Sequence, residues 1–316
     1  MTGFAVRNAT ARDAAGIRRL FARVFGREMS EEEWRWKFEQ NPDGWFGVVA
    51  LQGDEIVGNY AGWGIRFLLD GRERLVYAVG DVATDPSVRT LGGRRNVFRT
   101  MADTFYSEVE ARRAVPFCFG FPGGRHPRIS QRVVGTRTLF QIVEKRVPCE
   151  LLRASPSDAA AGDFVDERFD PLWLSVSARS GTAIALRDRA RANWRFHARP
   201  ERYYRMVWRQ GPNGFTGWAV LSVSGENALV ADYLSLAPDG SDLLPLFAAA
   251  AREASRLGAR RLVFWETPGP AAAVLGELPG ERVPAGFSLD ARIVDQSAAQ
   301  LLQDRGHLVP ALYDMV

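Results

Sequence analysis

The sequence predicts an α/β protein of the α+β kind, built as two domains, each a mixed, mostly antiparallel twisted sheet flanked by helices. Three observations predict it. The chain has 316 residues, about twice the roughly 150 that one domain holds. Strand and helix patterns alternate along it, and hairpin signals join several strands of the first half, which makes those neighbours antiparallel. An aromatic signature, Trp36-Lys37-Phe38 with Pro42, returns as Trp194-Arg195-Phe196 with Pro200 at the same spacing. The domains are read as residues 1–150 and 166–316. The linker over 151–165 has a centre rich in Ala, Ser, Pro and Asp.

The elements follow in order. Residues 4–7 form a short strand. Thr10 caps a helix, with Asp13 at the capping-box distance. Ile17, Leu20, Phe21, Val24 and Phe25 recur at helical spacing and give that helix a core face. Ser30 before Glu31-Glu32-Glu33 is a second start, a hydroxyl cap followed by acids that suit the positive end of the helix dipole. This helix carries Trp34, Trp36 and Phe38 and stops near Asn41-Pro42. Strands at 47–51 and 56–62 flank the turn Gln52-Gly53-Asp54-Glu55, and strands at 65–69 and 74–79 flank Asp70-Gly71. Strand character continues to Thr84, where Asp85-Pro86 ends it. A glycine-bearing stretch then leads into a helix over 93–111. A buried strand at 115–121, a short helix at 128–134 stopped by Gly135, and a strand at 139–147 complete the half. In the second half, strands at 217–223 and 229–236 precede a helix at 241–257 and a strand at 261–265. The helix-stop-strand ending recurs over 271–276 and 287–294, as duplication would give.

Composition excludes several classes. Hydrophobic residues make up 46% and charged residues 25%, a balance that excludes a largely disordered chain, a collagen and a disulfide scaffold. No apolar run approaches the roughly 18–20 residues that cross a bilayer. The N-terminus has no basic region leading into an apolar one. A cytoplasmic protein with no membrane partner is expected. Lys+Arg number 41 against 37 Asp+Glu, a net charge of +4. The lysines are Lys37 and Lys145, so arginine supplies almost all the positive charge. Without a clustered stripe this charge does not point to nucleic acid. Cys118 and Cys149 are isolated, the histidines are His126, His197 and His307, and neither CxxC nor HExxH occurs, so no metal is expected.

The informative stretch is Tyr77-Ala78-Val79-Gly80-Asp81-Val82-Ala83-Thr84-Asp85-Pro86-Ser87-Val88-Arg89-Thr90-Leu91-Gly92-Gly93-Arg94-Arg95. It reads strand, tight turn, helix. Glycines at the turn let backbone N–H groups converge on an anion, and a helix start adds orphan donors and a positive dipole end. With Arg89, Arg94 and Arg95 alongside, these features suit a pyrophosphate. The same residues also describe a helix opened by a Gly-Gly turn with solvated arginines. A P-loop is excluded by the missing lysine, and a dinucleotide fingerprint by the antiparallel hairpins that precede the glycines.

The segment Arg89-Thr90-Leu91-Gly92-Gly93-Arg94 resembles the pyrophosphate loop, [QR]-x-x-G-x-[GA], of the GCN5-related N-acetyltransferase (GNAT) superfamily, with Arg94 where Gly or Ala is usual. The order of elements over residues 4–147 also looks like that family's. The second half resembles the same fold without the loop, since 234–241 has no [QR]-x-x-G element. It is read as a degenerate domain that shapes the acceptor site or the interface. The resemblance implies acyl transfer from acyl-CoA, acetyl-CoA first, to a primary amine of a small molecule or peptide. Pantetheine would pair with the strand edge at Val82, Ala83 and Thr84, while residues 89–95 would grip the diphosphate. A lysine-like amine has a pKa near 10.4 and must lose its proton before attack. Asp81, flanked by small or apolar residues, is the candidate to accept it. The alternative is a structural carboxylate bonded to backbone or to an arginine. Glu55 and Asp85 read as turn residues.

The family's thiolate-protonating tyrosine falls on Gln131, which cannot serve; His126 and Ser130 are the substitutes. Trp36 and Trp63 are candidates to line the acceptor cleft, with core packing the alternative for each. Cys118 reads as buried filler. Two other readings stand: transfer from an aminoacyl-tRNA or acyl carrier protein, which uses doubled versions of this fold, and a CoA-binding module without turnover. A homodimer is left open.

Overall fold

The computed structural model describes residues 3–313 except 90–95, 124–125, 154–158, 163–165, 202 and 213. In chain order the elements are β1 (Ala5–Asn8), α1 (Ala14–Phe25), α2 (Glu31–Trp34), β2 (Trp45–Gln52), β3 (Glu55–Leu69), β4 (Arg72–Thr84), α3 (Val97–Arg113), β5 (Phe117–Gly120), α4 (His126–Val134), β6 (Arg137–Pro148), α5 (Cys149–Arg153) and β7 (Ala159–Gly162). They continue as α6 (Asp170–Ser177), β8 (Ala183–Ala185), α7 (Arg189–Ala192), β9 (Arg205–Gly211), β10 (Gly214–Ser224), β11 (Asn227–Ser235), α8 (Leu243–Arg256), β12 (Arg261–Trp265), α9 (Pro270–Gly276), β13 (Glu281–Ile293) and α10 (Gln296–Arg305). Among the described residues no helix is long and apolar enough to cross a membrane, and no group of three His, Cys, Asp or Glu residues is placed to hold a metal.

Two compact units are present. The first comprises Met1–Arg66, Arg74–Leu139 and Leu289–Gln296. The second comprises Phe67–Glu73, Phe140–Ser288 and Ser297–Val316. The first unit therefore takes one sheet segment, Leu289–Gln296, from the second half of the sequence, and the second unit takes two from the first half, Phe67–Glu73 and β6 from Phe140 onward.

In the first unit the strand order is β1-β2-β3-β4-β5 and then the end of β13. All neighbours given a register are antiparallel except β4 and β5, which run parallel. Side chains alternate faces along a strand, and β2 shows it: Val48 and Ala50 join one core, Val49 the other. The α3 residues Val97, Met101, Phe105 and Val109 fill the first core. Ile17, Leu20 and Phe21 of α1, with Trp34 and Phe38, fill the second. At about 1.5–3 kcal/mol per buried large apolar side chain, these two layers hold the sheet.

The expected local signals are present. Thr10 and Asp13 form the capping box, and Asp13 also holds Arg7 at 2.7 Å through both oxygens. That bond, before any other influence, lowers the Asp13 pKa from the ordinary 3.8 to about 2. Ser30 accepts from Glu33 N at 3.0 Å. Asp70 and Gly71 both have positive φ, 49° and 75°, as a tight hairpin turn requires. Gly135 stops α4 at φ 73°. Two differences stand out. Helix α3 begins after Asn96, whose side chain accepts from Arg99 N at 2.9 Å, so the glycines precede it. The stretch read as linker carries α5 and β7, and β7 pairs antiparallel with β9. Small residues allow this: a Cβ at Gly162 would meet the Trp208 ring at 2.6 Å.

In the second unit the order is β6-β12-β11-β10-β9-β7, with β8 paired to the Phe67–Leu69 end of β3. The repeated aromatic signature has a structural counterpart. Trp36-Lys37-Phe38 and Trp194-Arg195-Phe196 both lie in π-helical turns, residues 35–39 and 193–197, each continuing a short α-helix. The i→i+5 bonds Gln40 N to Arg35 O and Ala198 N to Asn193 O are both 2.8 Å.

Candidate functional site

Strand β4 is irregular where the chemistry was expected. Tyr77, Val79 and Val82 all pack against the α3 core, whereas Ala83 belongs to the α1 core. Strict alternation would put 79 and 82 on opposite faces, so one residue is extra. That residue is Asp81, whose φ is 51°. Asp enters the left-handed region more readily than most residues, at a cost on the order of 1 kcal/mol.

The bulge turns the Asp81 carboxylate to Lys37 of the π-helical turn. Nζ and Oδ2 are 2.5 Å apart, with the side chains only 6% and 10% exposed. The ammonium also sits 4.7 Å from the Trp63 ring centre and 5.5 Å from that of Phe38, a cation–π arrangement. Asn59 Nδ2 donates to the Asp81 carbonyl at 3.0 Å. Asn59 Oδ1 is buried and accepts no hydrogen bond among the described residues. The apolar flanks of Asp81 in the sequence thus do not define its surroundings. They include a buried cation, the Lys37 ammonium.

Beside the bulge the sheet opens. β4 and β5 pair at Tyr77↔Cys118 and Ala78↔Phe119. A Cβ at Gly120 would lie 2.9 Å from the Val79 carbonyl, so glycine allows the close approach where β5 ends. β4 runs on to Thr84, and beyond Ala78 no described strand covers that edge. Val82 and Thr84 are half-buried and Ala83 is buried. An extended chain rich in amides can bond to such an edge.

The other candidates are placed as follows. Arg89 is exposed, and its Nε donates to the Thr84 carbonyl at 3.1 Å. Thr90, Leu91, Gly92, Gly93, Arg94 and Arg95 lie outside the described residues. His126 is the first residue of α4, and its side chain is likewise outside them. Trp36 and Trp63 are 4% and 8% exposed: Trp63 lies under the Lys37 ammonium, and both are packed inside the unit. Asp85 caps the turn at 86–88 through Ser87 N at 3.0 Å, and Glu55 pairs with Arg23 at 3.0 Å, as turn residues would. Ser130 accepts from Thr136 at 2.8 Å, and Gln131 donates to Thr138 at 3.1 Å. Cys118 is buried, which pushes its pKa up to about 12, so it is filler and no nucleophile.

Sequence reasoning missed Lys37 and Asn59. The one available signal for Lys37 was its rarity in a chain that otherwise uses arginine. Nothing distinguished Asn59.

Residues 5–133 match the acetyltransferase (GNAT) domain family. No curated protein matches the chain. A solved structure from Enterococcus faecalis V583, called a probable N-acyltransferase, is similar at TM-score 0.68 and 14% identity, covering 95% of this chain and 74% of that one. A GCN5-related N-acetyltransferase from Anabaena variabilis ATCC 29413 is similar at TM-score 0.69 and 12% identity, covering 92% and 73%. One from Kribbella flavida is similar at 0.65 and 17%, covering 94% and 72%. At these identities the likeness is one of fold.

Proposed function

We propose, from the match of residues 5–133 to the acetyltransferase (GNAT) domain family, that the chain transfers an acyl group from acyl-CoA, acetyl-CoA first, to a primary amine of a small molecule or peptide. The observation that carries the reading is the β4 edge next to the Asp81 bulge, which no described strand covers beyond Ala78. Pantetheine amides would bond along Val82–Thr84. One N–H there would meet the thioester oxygen as charge grows on it, a contribution of about 3 kcal/mol. Residues 89–95 would hold the diphosphate. Asp81 would receive the amine's proton, with Lys37 as the positioning residue that fixes its carboxylate. The amine nitrogen then bonds to the acyl carbon, and the carbon–sulfur bond breaks to release the CoA thiolate. Gln131, held by Thr138, gives that thiolate no acid, which favours slow transfer or a CoA-binding module as the second reading.

Thermal melts with CoA, and thiol release from acetyl-CoA with a panel of amines, test this. CoA is expected to raise the melting temperature, because a ligand that binds only the folded state stabilises it, and at least one amine should release thiol. Gly92→Asp should weaken CoA binding by about a hundredfold or more, by placing a negative side chain where phosphate must approach. Stabilisation without thiol release would select the module. No stabilisation by CoA would contradict both readings.

A further inference from the structure

The second unit contains a cavity of about 450 Å³, within the usual range for small-molecule sites. It lies where β11 and β12 part. These strands pair only from Asn227↔Arg261 to Leu229↔Val263, and the cavity is lined by Leu234 and Ser235 near the end of β11 and by Pro268 just after β12. The opening does not offer a free strand edge. Residues 306–308 occupy it: His307 Nε2 lies 3.0 Å from the Tyr233 carbonyl, Thr267 Oγ1 donates to Gly306 O at 2.9 Å, and Leu308 N donates to Thr267 Oγ1 at 2.8 Å. A pantetheine-like chain has no edge to bond there, so a shorter ligand is required.

The charge of the wall specifies the ligand. Arg179, Arg305 and His307 line the cavity, and among the described residues no carboxylate does. Arg179 is half-buried, and Nη2 donates to the carbonyls of Leu236 and Ser235. Among the described residues it has no ion pair. Burial lowers its pKa, against the pull of Asp242. Arg305 makes no side-chain hydrogen bond or ion pair among the described residues. His307 is fixed from behind by a buried network. Arg187 Nε reaches both oxygens of Asp232 at 2.9 Å, and Asp232 Oδ1 lies 3.7 Å from His307 Nε2. Burial, then the Arg187 charge, lowers the His307 pKa. The Tyr233 carbonyl needs a proton on Nε2, which makes Nδ1 of the neutral ring an acceptor. Arg179, a cation partly withdrawn from water without an ion pair among the described residues, is costly there unless an anion joins it, and the exposed Arg305 adds a second positive charge at the mouth. Val176, Ile184, Leu243 and Pro238 supply apolar wall.

We propose that this cavity binds a small organic anion, a carboxylate or phosphate ester with an apolar body, whose charged end meets Arg179 and Arg305. Calorimetric titration of the full chain with hexanoate and phenyl phosphate, against the neutral hexanamide and phenol, tests it. At least one anion should bind about tenfold or more tightly than its neutral counterpart, and the one that does identifies the acid. Arg305→Gln removes an exposed side chain and should leave the unliganded melting temperature unchanged while weakening that anion about tenfold. Ala271→Trp, which fills the cavity, should abolish binding. Equal binding of anion and neutral counterpart, no binding of either anion, or an Arg305→Gln variant that binds unchanged would each overturn the proposal.

Discussion

Asp81→Asn should lower turnover about a hundredfold or more, the usual scale for losing a positioned proton acceptor, and cost about 3 kcal/mol of stability. The stability loss follows from the Lys37 pair, 2.5 Å long and nearly closed to water. Removing one charge of such a pair leaves the other buried and uncompensated. Asparagine still tolerates the positive φ of 51°, so the backbone bulge survives and the effect belongs to the carboxylate. A paired replacement, Lys37→Met with Asp81→Asn, removes both charges, keeps a residue that tolerates the positive φ, and should regain part of the stability. It should not regain turnover. Thiol-release rates and denaturant melts of the three proteins separate the roles. Normal turnover in the paired replacement would show that Asp81 is structural only.

Asp232→Asn should destabilise the second unit by about 3–5 kcal/mol, the range for breaking a buried ion pair. Arg187 and Asp232 side chains are each 5% exposed, and Asp232 Oδ1 also accepts from Tyr233 N at 2.8 Å. Burial alone would raise the Asp232 pKa, but the Arg187 charge and His307 outweigh it and hold it below the ordinary 3.8. A carboxylate depressed in this way contributes its full stabilisation above the ordinary value and loses it as pH falls through the lower folded value. Urea melts at neutral pH should show the gap between wild type and variant, and melts in strong acid should show it shrinking. A neutral-pH difference under about 1 kcal/mol would contradict the account of this network.

Local signals were legible and longer-range ones were not. Ser30, Thr10 with Asp13, Asp70-Gly71 and Gly135 act through their own turns, and each is where a few neighbouring residues place it. Trp36, a candidate to line the cleft, is buried for a definite reason. Residues 36 and 34 lie two apart, which on an α-helix turns them to different faces, but Trp36, Lys37 and Phe38 of the wider π-helical turn are each buried. The Asp81 bulge was invisible because aspartate in a strand does not announce a positive φ. Its partner Lys37 lies far away in sequence, and pairing at that separation leaves no local pattern. The exchange of sheet segments between the units is likewise tertiary: the end of β13 pairs with β5 through Asp290↔Gly120 to Ile293↔Phe117, and nothing in 289–296 marks which sheet it joins.

In the proposed complex acyl-CoA lies along the β4 edge and reaches residues 89–95. Amide hydrogen exchange of peptides spanning residues 79–95, with and without CoA, tests it most directly. The account predicts slowed exchange across Val82–Thr84 and the loop when CoA is added. CoA that binds while these amides exchange at their unliganded rate would contradict it.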